Sequence, residues 1–148
     1  MAGSSNEEVI NAYMRAMTDN DEPAMGRLRD PEWRVDYPQS GERIRGHANE
    51  RAIADNYPGG LPDLDTARVV GSEDRWVVTP SFTFERVAGS GDAWWVEGKA
   101  RYPDGSTWHL VSMYQLRDGR IHREITYWAE PFEAPAWRAG WVEPIEPD

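Results

Sequence analysis

The chain has 148 residues, 16 of them basic and 26 acidic, which gives a formal net charge of −10 with neutral histidines. A field of that sign repels phosphate, so nucleic acid and anionic membrane surfaces are not expected partners. The absence of cysteine excludes disulfides, thiolate catalysis and cysteine zinc sites. The start shows no signal-peptide pattern and no apolar run is long enough to span a bilayer, so we expect a cytoplasmic protein.

The first third of the chain is typical of helices. Ser5 and Glu8 fit a capping box, and the apolar residues after them recur at helical spacing, which predicts a first helix of about 15 residues. Breakers and periodicity then predict, in chain order, a short helix from Asp21 to Asp30, a strand over Trp33–Tyr37, a long helix over His47–Tyr57 and a loop over Pro58–Pro62.

From residue 66 the hydrophobic period changes to two, which indicates strands. Five are predicted, at Thr66–Gly71, Trp76–Val87, Trp94–Tyr102, Thr107–Leu116 and Arg120–Trp128. Pro80 predicts an edge or a bulge in the second of these, because proline cannot donate to a ladder. Helices followed by an antiparallel meander predict an α+β fold, in which a strongly curved sheet carries helices on its concave face.

The last segment, 129–148, is an extension that contains four prolines and two tryptophans. Pro135–Trp141 fits one or two helical turns, with Trp137 and Trp141 on one side. We expect these indoles to cover the open end of the curved sheet or to lie in a dimer interface, since each large ring must bury a face. The whole chain, 1–148, is expected to form one domain with this Pro/Trp-rich extension.

Two hairpins decide which side chains share a face. If Asp104-Gly105 and Asp118-Gly119 are two-residue turns, one face of the last three strands is small and apolar, with Glu124 and His109 as its only ionisable members. That composition is typical of a covered, concave face, whereas the other face suits solvent or a subunit contact. A bulge in either hairpin would exchange the faces, because a slip of one residue turns the side chains over.

Three residues are candidates for catalysis. Glu124 would be desolvated on an apolar face, which raises the pKa of its carboxyl towards the range useful for proton transfer, unless it pairs with Arg120 or Arg123. The imidazole of His109 can accept or donate a proton, or can be a core histidine bonded to a backbone carbonyl. Tyr13, if buried on the first helix, could donate to a developing enolate oxygen or belong to the core.

A second group of residues is expected to line a small-molecule site: Tyr37, Tyr57, Met113, Thr126 and Trp128. His47 and His122 are interpreted as exposed or capping residues. Because the three histidines are too scattered to form a metal site, no metal is expected. No cofactor is expected either.

Five short segments occur in the order and spacing of a known superfamily. They are Tyr13 with Asp19-Asn20-Asp21, Tyr37-Pro38, Ser40–Gly46, Asp118–Ile121 and Tyr127-Trp128. In these segments the chain resembles the nuclear transport factor 2-like superfamily, in particular its SnoaL-like and ketosteroid-isomerase-like branch. The resemblance implies a cone-shaped antiparallel or mixed sheet of about six strands wrapped around N-terminal helices, with a deep pocket and usually as a homodimer. Its members include isomerases, cyclases, dehydratases, epoxide hydrolases and non-catalytic binders.

The resemblance carries over unevenly to the site. Tyr13 falls where ketosteroid isomerases keep the phenol of their oxyanion hole, and Trp128 matches an aromatic residue of their pocket. Tyr37 occupies the position of their general base, and Ser112 or Met113 that of their second acid, so the isomerase's acid–base set is not preserved. We expect a cofactor-free cyclase, isomerase or dehydratase acting on a largely apolar carbonyl or polycyclic metabolite. The alternatives are a ligand-binding or accessory protein, and a structural partner that uses its aromatic outer face.

Overall fold

The computed structural model describes residues 5–71 and 91–145, and the side chains of 5–64 and 91–145. Its helices are α1 Asn6–Thr18, α2 Glu22–Leu28, α3 His47–Asp55 and a 3-10 helix Ala136–Trp141. Its strands are β1 Arg29–Tyr37, β2 Glu42–Arg45, β3 Asp63–Gly71, β4 Ala93–Arg101, β5 Thr107–Arg117 and β6 Arg120–Ala129. The predicted strand Trp76–Val87, with Pro80, lies outside the described residues.

The six described strands form one curled, mixed sheet in the order β2-β1-β6-β5-β4-β3. β1 and β6 are parallel, and the other neighbours are antiparallel. The parallel pairing places Val35 of the N-terminal half beside Glu124 of the C-terminal half. The α+β class and the curved mixed sheet of about six strands are therefore confirmed, although β2 lies within Ser40–Gly46, for which no strand was predicted.

The N-terminal helices cover one face of this sheet. The predicted capping box is present, since Ser5 Oγ accepts the Glu8 amide at 3.2 Å and the Glu8 carboxylate accepts the Ser5 amide at 2.7 Å. The buried stripe of α1 then packs against the sheet in a single core, whose large members include Ile10, Tyr13, Trp33, Trp94, Tyr114 and Ile121. This packing makes the covered face the inner face of the fold.

The register between β4 and β5 differs from the predicted register by one residue. Ala100 pairs with Trp108 rather than with His109, and Val96 pairs with Ser112 rather than with Met113. The cause is the turn, in which Tyr102 bonds to Ser106 across three residues that end at Gly105, with φ +89°. A three-residue hairpin loop commonly ends in such a left-handed glycine. The faces of β5 are therefore exchanged, and the prediction that His109 and Met113 point inward is wrong.

The hairpin between β5 and β6 contains a second irregularity, which returns the side chains of β6 to the faces predicted for them. The predicted two-residue turn is observed, because Arg117 pairs with Arg120. A bulge then shifts the register by one residue between Leu116 and Gln115, so that Glu124 pairs with Tyr114. Bulges turn the following side chains to the opposite face. Glu124 consequently lies on the inner face, as predicted.

The C-terminal extension is mostly exposed over its described residues, 129–145. Trp137 and Trp141 are 75% and 82% exposed, so neither covers the open end of its own sheet. Their place in a dimer interface stays a prediction. Across the described residues, every helix is too short or too polar to cross a membrane.

Candidate functional site

A cavity of about 630 Å³ lies at the end of the sheet where β1 and β6 finish and β5 begins. Its volume falls in the range of ligand sites. The wall is rich in aromatic rings, which are Tyr37, Tyr57, Tyr102, Trp108 and Trp128. Three of them form a continuous surface, because the ring centroids of Tyr57 and Tyr102 are 6.4 Å apart and those of Tyr102 and Trp108 are 5.6 Å apart.

The predicted ligand-binding residues are divided between three places. Tyr37, Tyr57 and Trp128 line the cavity. Thr126 is buried on the inner face, where its hydroxyl lies 2.8 Å from that of Ser112. Met113 is on the outer face, paired with Trp95 and Ile125, because of the shifted β4–β5 register. Met113 is therefore removed from the candidate site.

Glu124 lies deeper on the same inner face than the cavity wall. The Tyr13 hydroxyl and the Trp33 indole both donate to its Oε1, the indole at 2.9 Å. The predicted alternative of a pair with Arg123 does not occur, because that guanidinium binds Asp36 at 3.2 Å. Glu124 is 4% exposed, so its carboxyl is an interior group with aromatic donors.

A buried arginine connects this carboxyl to the cavity wall. Arg29 Nε donates to the Tyr13 hydroxyl at 2.7 Å, and its Nη1 donates to Glu50 and lies 2.9 Å from His47 Nδ1. Its guanidinium carbon lies 3.6 Å from the centroid of the Trp33 ring, which is the geometry of a cation–π contact. Since His47 and Glu50 line the cavity, hydrogen bonds run from the wall to the buried acid.

Burial determines the protonation states of Glu124 and Tyr13. It raises the pKa of Glu124 to about 7, and the opposing effects of Arg29 and of the Tyr13 hydrogen bond are smaller. Burial, followed by the charge of Glu124, also raises the pKa of the Tyr13 phenol well above 10. Tyr13 therefore keeps its single proton and donates it in the hydrogen bond to Glu124. Because it has no exposed surface and packs in the core, it does not present that proton to the cavity, and the second of the two interpretations left open by the sequence, a core residue, is the one that the structure favours.

This raised pKa makes the stability depend on pH. The folded protein binds a proton at Glu124 up to about pH 7, whereas an ordinary glutamate releases it near 4.5. The free energy of unfolding should therefore fall by up to about 3 kcal/mol as the pH rises from below 4.5 to above 7. We expect Glu124→Gln to lack this loss. In urea unfolding, its free energy of unfolding minus that of the wild type should be higher at pH 8 than at pH 5. Glu130→Gln, at an exposed site, should follow the wild type, and parallel curves for all three proteins would contradict the assignment.

His109, the histidine predicted to be catalytic, lies neither at the cavity nor near Glu124. His109 is exposed on the outer face, where it pairs with Lys99 and Ala129, so it cannot contact a ligand in the cavity. His47, which the sequence indicated to be a surface or capping residue, lines the cavity instead. Arg29 and Glu50 were missed altogether, because only the tertiary fold brings the start of β1 against α3. In the described part of the chain, no group of three or more histidine, aspartate or glutamate side chains is arranged to hold a metal ion.

Comparisons with known proteins agree with this architecture. A family model described as the SnoaL-like domain matches residues 10–124. An NTF-2 like protein of unknown function from Burkholderia xenovorans LB400 is 31% identical over 95% of each chain, with a TM-score of 0.72. A search of curated proteins finds no match to this chain.

Two more distant structures are similar in fold alone. A proposed ketosteroid isomerase from Kribbella flavida DSM 17836 is 20% identical over 97% of this chain and 91% of its own, with a TM-score of 0.73. A proposed polyketide cyclase from Pseudomonas putida KT2440 is 22% identical over 84% of this chain and 92% of its own, with a TM-score of 0.60.

Proposed function

Since the chain belongs to the SnoaL-like domain family of the nuclear transport factor 2-like superfamily, we propose that it is a cofactor-free acid–base enzyme. Its substrate is a small, largely apolar carbonyl compound or polycyclic metabolite, and the reaction is a cyclisation, isomerisation or dehydration. The fold shared with a proposed isomerase and a proposed cyclase supports this class. The observation that carries the proposal is the carboxyl of Glu124, which is 4% exposed on the inner face and accepts from Tyr13 and Trp33, and burial raises its pKa to about 7.

Glu124 is the group that moves the proton. As a carboxylate it takes a proton from the carbon next to the ligand's carbonyl, and the electron pair of that C–H bond moves onto the carbonyl oxygen. As an acid it returns the proton to carbon or to a leaving hydroxyl group. A pKa near the working pH suits both directions, because neither protonation state is then rare.

The neighbours of Glu124 position it. Tyr13 and Trp33 both donate to Oε1, and Oε2 accepts no hydrogen bond from a described residue. We assign Oε2 to the proton transfer. The ligand approaches it past Tyr37, which lines the cavity and follows the Val35–Glu124 pair by two residues along β1.

The cavity wall supports an apolar ring system as the ligand. Rings of Tyr57, Tyr102 and Trp108 offer faces and edges to a flat ligand, and aromatic pairs gain energy beyond their buried area. Polar side chains also line the cavity, among them His47 and Glu50, and such groups orient a ligand whose affinity comes from apolar and aromatic contacts.

One observation favours a second candidate, a non-catalytic ligand-binding protein. Tyr13 has no exposed surface and Glu124 has 4%, while other side chains form the wall of the cavity. Such a protein would take up the same class of ligand and would leave its C–H bonds intact.

Hydrogen exchange separates the two candidates. The bicyclic ketone 2-tetralone serves as the probe, and the loss of its α-protons in deuterium oxide is followed by proton NMR. We expect the protein to accelerate the exchange, with a rate that rises through about pH 7 and then levels off, because the ionised form of Glu124 is the base. Binding of the ketone without acceleration over buffer would support the second candidate and overturn the enzyme.

We also propose that the protein is a homodimer. The outer face exposes Val111 and Tyr127, which are 40% and 45% exposed, and the extension exposes Trp137 and Trp141. Sedimentation equilibrium should give twice the mass of 16.9 kDa. Val111→Arg should shift the mass towards the monomer, whereas Ala48→Arg on the exposed side of α3 should not. A monomer at every concentration tested would contradict the proposal.

A further inference from the structure

His47 stands at the boundary between the buried network and the cavity. It is the first residue of α3, and its half-buried ring lines the cavity together with Glu50, three residues further along the helix. Its Nδ1 lies 2.9 Å from Nη1 of Arg29. One ring nitrogen is therefore committed to the protein interior.

The chemistry of arginine fixes which nitrogen carries the proton. A guanidinium has only donors, so Nδ1 must accept from Arg29 and holds no proton itself. The proton of the neutral ring is then on Nε2. Arg29 is well placed to enforce this choice, because its side chain is 2% exposed and is also bound to Tyr13 and Glu50.

The proton on Nε2 is available to a ligand, because no described residue accepts it. Within residues 5–64 and 91–145, Nε2 makes no hydrogen bond. The nearby carboxylate of Glu50, which would be the natural competitor for that proton, is already bound by Arg29. The wall of the aromatic cavity thus contains an N–H group that can donate and cannot accept.

We infer that His47 is an oxygen-recognition residue, whose Nε2–H donates to a carbonyl or enolate oxygen of the ligand, and that Arg29 is the positioning residue that holds the ring in this tautomer. The ligand class is accordingly an apolar ring system that carries an acceptor oxygen. Its part in stabilising an enolate rests on the proposed function, whereas its part in binding does not. An oxygen held by a preorganised donor becomes easier to charge when the adjacent carbon loses its proton.

A matched pair of ligands tests the inference by calorimetry. The ketone 2-tetralone and the hydrocarbon tetralin have nearly the same shape, and only the ketone can accept a hydrogen bond. We expect His47→Ala to weaken binding of 2-tetralone about tenfold and binding of tetralin less than about twofold. His47→Gln, which restores an N–H donor, should recover part of the loss. Equal losses for both ligands, no loss for either, or no binding of 2-tetralone to the wild type would each overturn the inference.

The tautomer of His47 is measured on the unaltered protein, and a variant is needed only to assign its signal. Nitrogen-15 NMR of the histidine rings should show His47 with a bare Nδ1 and a protonated Nε2, and the signal should be missing from His47→Gln. The opposite tautomer would overturn the inference.

The failure of this inference can be distinguished from the failure of the proposed function. If His47→Ala weakens binding of the ketone but not of the hydrocarbon, and the wild type exchanges no α-protons, the binding role of His47 is supported and the enzyme proposal is overturned. If exchange is present but the two ligands are affected alike, the enzyme stands and the role of His47 fails.

Discussion

Glu124→Gln should slow the exchange of 2-tetralone α-protons by about 10²-fold or more, the usual effect of removing a general base. The amide has nearly the same shape as the acid, and its carbonyl can still accept from Tyr13 and Trp33, so the core should stay intact. It cannot take a proton from carbon. The comparison is of first-order exchange rates at pH 8, where the wild-type carboxyl is ionised.

Glu130→Gln makes the same chemical change at an exposed position just after β6. It should exchange the ketone at the wild-type rate. The proposed role of Glu124 would be contradicted if the two variants behaved alike, or if Glu124→Gln lost binding of 2-tetralone together with exchange.

Arg29→Met should have the largest effect on stability, about 3 kcal/mol, because it removes a buried guanidinium and leaves the Tyr13 hydroxyl and the partly exposed Glu50 carboxylate without that donor. Arg29 is 4% exposed, donates to Tyr13 and Glu50, and stacks on Trp33. Methionine fills part of the volume but replaces none of the hydrogen bonds. Urea unfolding followed by tryptophan fluorescence measures the loss.

Arg27→Met is the matched control, since it makes the same substitution on the exposed surface of α2. Its free energy of unfolding should stay within about 0.5 kcal/mol of the wild type. A comparable loss in both variants would mean that the network around Arg29 contributes no more than an ordinary surface arginine.

The inward position of Glu124 was predicted correctly, but only because two irregularities that the sequence did not reveal cancel each other. We assumed two regular hairpins, whereas the first has a three-residue turn and the second a bulge. Each irregularity exchanges the faces of the strand that follows it, so β5 is reversed and β6 is restored. His109 and Met113, which lie on β5, are therefore misplaced by the same reasoning that places Glu124 and Trp128 correctly.

The connection between Arg29 and Glu124 could not be predicted from local sequence patterns. It depends on the parallel pairing of β1 with β6, which joins residues about ninety positions apart, and on the packing of α3 over the start of β1. Periodicity reports which side of an element is apolar, but not which element covers it. The sequence therefore showed no sign of the role of Arg29 and indicated only a surface or capping role for His47. The capping box of α1 follows from a local pattern, and the cavity was expected from the family resemblance.

Carbon-13 NMR of the glutamate side-chain carboxyls, followed from pH 3 to pH 9, tests the central claim most directly. One carboxyl carbon, absent from the spectrum of Glu124→Gln, should titrate near pH 7. If that carbon titrates near 4.5 like an exposed glutamate, the inner face holds no acid suited to proton transfer at neutral pH, and the proposed chemistry is contradicted.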